Sequence, residues 1–247
     1  MLKILGPEAT ELISEGNPST DVANRKAFAA KYEEMHRFTK RADGKLELIV
    51  GAENWPLPIP LVKKDGAWSF DVAAAKNEVL YRRIGKNEMA AIFACGELVE
   101  AQQQYFADGK AGQYAASIAG DPAKREGLFA KEAGTAAAGG DSVGPLLAGA
   151  DATKSASSEP FHGYFFRVLT GQGAAGDGGA MSYMVDGKMT GGFAFVAYPA
   201  EYRSSGVKSF IVSGEGVVYE RDLGADTAKI AGAMSTFDPD ASWSRVD

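Results

Sequence analysis

The chain is poor in the residues that build metal centres and disulfide frameworks: it has one cysteine, Cys95, and two histidines, His36 and His162. A lone cysteine closes no internal disulfide, and Cys95 sits in an apolar stretch, where it reads as a small buried hydrophobe rather than a nucleophile. The two histidines lack HExxH spacing and paired cysteines, so they do not make a zinc site. Excess positive charge is missing too. With 26 basic and 32 acidic residues the net charge is −6, and no basic run is interleaved with aromatics, which argues against a nucleic-acid partner. No run reaches the ~18 consecutive apolar residues of a membrane span. No signal peptide is visible either, because Met1 to Leu5 meets Gly6-Pro7 before an apolar core can form. Read literally this start is cytoplasmic, and a chain whose export signal has been removed would begin the same way.

What is present is an ordinary globular composition: 247 residues, 45% hydrophobic and 23% charged, enough for one large or two small domains. The longest helical pattern runs from Asn87 to Phe106. Met89, Ile92, Gly96, Val99, Gln103 and Phe106 recur at three- and four-residue steps. Phe93, Cys95, Leu98, Gln102 and Tyr105 widen that stripe, leaving Ala90, Ala94, Glu97, Ala101 and Gln104 as a narrow small or polar face. Such girth predicts a buried spine, opened by Asn87 and closed by Asp108-Gly109. A shorter helix is expected over 72–83, set apart from the spine by Gly85, with a domain boundary between 84 and 85.

Before the boundary, the pattern predicts a helix from Thr20 or Asp21 to about Arg41, with Phe28, Tyr32, Met35 and His36 near one face. A strand follows over 45–50, with Leu46, Leu48 and Val50 alternating. Trp55-Pro-Leu-Pro-Ile-Pro60 carries three prolines at alternate positions, which suits an edge strand or a polyproline-like segment. Residues 60–71 read as a hairpin turning at Asp65-Gly66, with Trp68 and Phe70 on one side. Beyond the spine, a brief helix is expected near 111–118. The Ala/Gly/Ser-rich stretch 130–160 reads as an extended loop, pinned where Gly144-Pro-Leu-Leu147 packs.

From Gly163 the pattern turns to strands over 163–170, 180–185, 189–198 and 207–219. Asp186-Gly187 is a two-residue hairpin signal and Gly214-Glu-Gly216 a further turn. The expected fold class is therefore α+β: a long buried helix packed on an antiparallel β-meander over 85–247, preceded by a small helix-plus-sheet domain over 1–84. A last helix is expected over 226–234.

Motifs that carry chemistry are few. Gly171-Gln-Gly173-Ala-Ala-Gly176 spells the dinucleotide fingerprint, but another strand follows where the helix should stand, so a hairpin loop is the better reading. Asp177 and Asp238-Pro-Asp240 fall short of a calcium loop's ligand count. Arg82, Arg83, Lys86 and Glu88 form a charged knot at the boundary, either an anion site or, preferably, an interdomain salt-bridge cluster. His162 can serve as a general base only if a carboxylate reaches it. Trp55 offers an aromatic surface among prolines. Candidate ligand-binding residues are thus Trp55, Arg82, Arg83, Glu88 and His162; no catalytic residue, metal or cofactor is assigned.

Five stretches resemble the bacterial family called domain of unknown function 2950: Val50 to Asp71, Arg82 to Ile92, Phe161 to Gly173, Gly187 to Val207 and Asp222 to Trp243. The resemblance implies an exported envelope protein, periplasmic or extracellular, whose relatives are preceded by a signal sequence and one further helix; on that reading the N-terminal domain is trimmed. The order Asn87-Glu88, Gln104-Tyr-Phe106, Gly163-Tyr-Phe-Phe166, Ala197-Tyr-Pro199, Gly206 to Phe210 and Gly216-Val-Val218 is similar to type IV pilin headgroups. The first seventy residues resemble cystatin-like or nuclear-transport-factor-like domains. These resemblances imply a non-catalytic binding or assembly module whose partner is a protein or envelope component, met around Trp55 and the exposed sheet edges. The alternatives are a hydrolase using His162, and a small-ligand binder with a cavity behind Trp55 and Trp68.

Overall fold

The computed structural model describes residues 2–13, 18–108, 112–120, 127–129, 143–153 and 158–246. The chain divides into two compact units, Met1–Arg83 and Ile84–Asp247.

The first unit opens with α1 (Leu2–Leu5) and α2 (Thr10–Ile13), followed by α3 (Pro18–Glu34). Its strands are β1 (His36–Lys40), β2 (Leu46–Val50), β3 (Trp55–Pro56), β4 (Leu61–Lys64) and β5 (Ala67–Phe70). α3 stops well short of Arg41. After Met35 the chain becomes β1, which pairs residue for residue with β2 from His36↔Val50 to Lys40↔Leu46. That cross-strand ladder outweighs the weak helical periodicity of the same residues. The sheet order is β1-β2-β4-β5, with β3 also on β2 and every pair antiparallel. The prolines stay at the margin as expected: β3 contributes only Trp55 and Pro56, opposite Val50 and Ile49. Asp65 and Gly66 turn the β4–β5 hairpin with φ of 51° and 82°, the positive pair that two-residue hairpins favour. Leu48, Val50 and Leu61 form a small buried cluster, with Phe28, Tyr32, Leu46, Leu57 and Phe70 half-buried against it.

A helix of 37 residues follows, α4 (Val72–Asp108). Asp71 caps it: Oδ1 accepts the Ala74 amide at 3.1 Å and Oδ2 the Lys45 ammonium at 3.1 Å. The amide bond first, and then Lys45, hold this carboxyl below its usual pKa. The two helices expected on either side of Gly85 are one. A mid-helix glycine costs about 1 kcal/mol, too little to interrupt so long a helix, and open space surrounds its α-carbon.

The second unit continues with α5 (Gly144–Gly149), β6 (Tyr164–Leu169), β7 (Gly171–Gln172), β8 (Met181–Ser182), β9 (Met184–Val185) and β10 (Lys188–Met189). Then come β11 (Ala194–Pro199), β12 (Lys208–Ser213), β13 (Val218–Asp222), α6 (Thr227–Ala233), β14 (Thr236–Phe237) and β15 (Ser244–Arg245). The main sheet runs β15-β13-β12-β11-β6, antiparallel throughout. It is the expected meander with one departure. Residues 180–189 leave it: β8 pairs with β7, which also takes β14 in parallel, while β9 and β10 form the Asp186-Gly187 hairpin. Glycines allow the detour. Gly192 has φ of 144°, and a β-carbon there would meet the Tyr183 ring at 2.8 Å.

α4 meets this unit's core through Ala91, Ala94, Cys95, Leu98 and Val99, which cluster with Tyr164, Phe166, Phe195 and Ile211. The expectation of a spine apolar on nearly all sides is corrected here. Met89 is 72% and Phe93 57% exposed, whereas Ala94, assigned to the polar face, is fully buried. The sheet supplies the bulky aromatics, so the helix face that fits closest is the one with small side chains. Cys95 is buried and its thiol is pushed up to about 12 by desolvation, which leaves it unreactive.

Past α4 the expected helix near 111–118 is absent among the described residues 112–120, where Tyr114 bridges to Met189 and Ala119 to Phe129. Gln102, fully buried, holds this segment: its amide donates to the Ala115 carbonyl and accepts the Ala115 N–H, both at 2.8 Å. Within 130–160 the pinning segment is a short helix, α5, whose Leu147 is buried; positions 130–142 and 154–157 of the expected loop lie outside the described residues. Buried Asp151 accepts the amides of Ile118, Ala119 and Thr153. At the end of α6, Arg167 donates to the carbonyls of Ala231, Gly232 and Met234, a cation at the negative end of a helix.

Candidate functional site

The first unit has fewer large apolar side chains facing inward than its interior has room for. On α3 the positions 25, 28, 29, 32 and 33 share one face by helical spacing. They carry Arg25, Phe28, Ala29, Tyr32 and Glu33, so just two bulky rings project, with an alanine between them. Opposite stand Phe38, Leu48, Leu57, Ile59, Leu61 and Phe70 from the sheet and its connections. Between the two layers, and bordered by Ile4 and Leu5, lies an apolar cavity of about 620 Å³ that is partly open to solvent, since Arg25, Ala29, Glu33 and Phe38 of its lining are exposed.

That volume falls in the range of small-molecule sites, roughly 300–1,000 Å³. The polar side chains reaching it are Arg25, Glu33 and Tyr32. Tyr32 is fixed by stacking on His36 at 3.8 Å between ring centroids, and the His36 ring nitrogen Nδ1 lies 2.9 Å from the Tyr32 carbonyl. Among the described residues no group of three or more His, Cys, Asp or Glu side chains is placed to hold a metal.

The residues singled out from sequence are scattered. Trp55 is 42% exposed and outside the cavity lining. The Arg82 guanidinium lies 6.0 Å from its ring centroid and donates to the Pro56 carbonyl at 2.6 Å and to Glu78 at 2.8 Å. Trp55 and Arg82 therefore form a surface pair, held partly by cation–π attraction. Arg83 and Lys86 are exposed. Glu88 instead accepts the backbone amides of Val207 and Lys208, each at 3.0 Å, while Asn87 donates to the Ser205 carbonyl at 2.9 Å. The knot read across 82–88 is thus not one cluster: Arg82 serves the first unit and Glu88 anchors a loop of the second.

His162 is exposed, with φ of 45°, and Gly163 beside it has φ of 75°. The two form a tight turn closed by reciprocal backbone bonds between Phe161 and Tyr164. Among the described residues His162 has no carboxylate bonded to it; its ring packs edge-on against Phe161. Gly206 lies under Tyr164, whose hydroxyl donates to the Lys208 carbonyl at 2.8 Å; a β-carbon at Gly206 would come within 2.1 Å of the Tyr164 hydroxyl oxygen. The fingerprint glycines likewise shape a turn: Gln172 donates to the carbonyls of Asp177 and Gly179, and Asp238 accepts the Ala175 amide.

The cavity was expected behind Trp55 and Trp68. It lies instead against Phe28, Tyr32, Phe38, Leu57 and Ile59. The usable signal was the pair Phe28 and Tyr32 on a helix otherwise poor in large apolar residues, facing the alternating Leu46, Leu48 and Val50.

The family model described as protein of unknown function (DUF2950) matches residues 1–246. No curated protein and no solved structure matches the chain.

Proposed function

This chain belongs to the DUF2950 family, whose description assigns no activity, and from its geometry we propose that it is a non-catalytic binding protein that takes a small, mainly apolar molecule into its first unit. One observation carries this reading: an apolar cavity of about 620 Å³ between α3 and the sheet, in a unit whose buried cluster is small. A cavity with apolar walls is poorly hydrated and gains most of its affinity from covering hydrocarbon surface. Its polar groups, Arg25, Glu33 and Tyr32, are few enough to orient a guest.

The family resemblance supports a working place outside the cytoplasm, periplasmic or extracellular. On this reading the second unit is a pilin-like scaffold, and Trp55 with Arg82 offers contact to an envelope component. Fractionation of native cells tests the location: recovery in the cytoplasmic fraction removes it.

Binding is tested by titrating the full chain with an uncharged environment-sensitive fluorophore, beside Ala29→Trp, which places an indole in the cavity. The expected result is saturable enhancement, with at least tenfold weaker binding to A29W. Equal binding by the two proteins, or none by either, overturns the proposal.

A further inference from the structure

Resting on that reading, the charge around the cavity narrows the class of guest. Alternation along each strand puts every second residue on the same face. Phe38 lines the cavity, so Lys40 lies on the cavity side of β1; Leu61 lines it, so Lys63 lies on the cavity side of β4. The rows connect, since Lys40 pairs with Leu46 and Leu46 with Leu61. Both lysines thus stand toward the same end of the sheet, the end away from His36 and Val50. α3 turns back over β1 after the single residue Met35, with Tyr32 stacked on His36 at the junction. Arg25, about two helical turns before Tyr32, therefore lies toward the lysine end. Glu33 lies beside the junction, about 12 Å from Arg25 along the helix axis. Arg25, Lys40 and Lys63 make no ion pair among the described residues, whereas Lys45 nearby is taken by Asp71.

We propose that the cavity binds a single-chain amphiphile with an anionic head, the hydrocarbon lying along Phe28, Leu48 and Leu61 and the head meeting Arg25, Lys40 and Lys63. A carboxylate or a phosphate satisfies this site equally. Arg25 is the group best shaped for either, because its guanidinium donates two parallel bonds to an oxyanion. The basic end sets the direction of entry and the apolar wall sets the affinity.

The test compares three 12-carbon probes by calorimetry, below their aggregation concentrations: dodecanoate, dodecanol and dodecylammonium, with dodecyl phosphate to separate the two head groups. The expected order is dodecanoate or dodecyl phosphate tightest, then dodecanol, then dodecylammonium. Affinity should rise roughly fourfold per added methylene until the cavity is full. R25Q should weaken dodecanoate roughly tenfold while leaving dodecanol unchanged; K40Q and K63Q should each weaken dodecanoate roughly two- to fivefold. Absence of binding by all four probes defeats the ligand-binding reading itself. Equal binding of dodecanoate and dodecanol leaves that reading intact and overturns the anionic head. Tightest binding by dodecylammonium also overturns it, assigning the head to Glu33. Equal weakening of dodecanol and dodecanoate by R25Q also overturns the anionic head, because loss of a charge partner cannot act on a neutral head group.

Discussion

The two units differ in how they use aromatic residues. In the second, Tyr164, Phe166, Phe195 and Phe210 are fully buried and pack against small residues of α4. In the first, Phe28, Tyr32 and Phe70 are half-buried and Phe38 is 53% exposed, all around an open volume. The same chemistry makes a filled interior in one place and a lined one in the other. The difference lies in what faces the rings. Across the main sheet stand Ala91, Ala94 and Leu98, closely fitted; across the small sheet stands α3, which offers Ala29 where a larger residue would close the gap. A protein that needed just stability would fill it, since buried apolar volume is the main stabilising term.

Truncation should separate the two most strongly. Phe195→Ala is expected to cost about 3–5 kcal/mol, the usual range for a fully buried phenylalanine. Phe28→Ala should cost about 1 kcal/mol or less, because its ring already borders open space. Urea unfolding, followed by hydrogen exchange at amides of each unit, measures both; equal losses would erase the distinction. Enlargement should invert the sign. Ala94→Leu, in the filled interior, is expected to destabilise by about 1–3 kcal/mol, while Ala29→Leu should stabilise the first unit by about 0.5–2 kcal/mol and weaken ligand uptake. Stabilisation by both changes would mean that the second unit is also underfilled.

The smallest effect concerns the cap of α4. Asp71→Ala should cost about 1 kcal/mol at neutral pH. Because the folded state holds this carboxyl below its unfolded pKa, its contribution is complete above about pH 4 and fades as the pH falls through the folded value. The gap between D71A and the parent protein should therefore shrink in acid; a gap constant from pH 7 to pH 2 would show that the cap is held by something other than charge.

Much of this architecture was legible in the residues. The Asp65-Gly66 and Asp186-Gly187 hairpins, the alternation of Leu46, Leu48 and Val50, and the long run of apolar helix all state their conformation locally. What was not legible depends on partners distant in sequence. His36 to Lys40 continues a helical pattern until β2 becomes available for pairing. Phe93 outranks Ala94 in hydrophobicity, yet Ala94 is the residue a crowded aromatic sheet can approach. Trp55, Arg82, Glu88 and His162 attract notice by residue type; the fold places Trp55 and Arg82 in a surface pair, Glu88 on the Val207 and Lys208 amides and His162 in a turn. The cavity belongs to none of its lining residues singly. It is a mismatch of volumes between a helix and a sheet, and a pattern of letters records the walls without recording the gap.

Gln102 carries a consequence of a different kind. Its side-chain amide stands in for one peptide unit of a strand that is not there, giving and receiving a bond with the irregular segment at Ala115 from within the core. Hydrolysis of that amide to a glutamate, the common ageing reaction of this side chain, would exchange a single nitrogen for oxygen and turn the donor facing the Ala115 carbonyl into a second acceptor. Because Gln102 is completely buried, that new acceptor would find no water to turn to, and the core would hold an unpaired carboxyl at a cost well above that of the bond lost.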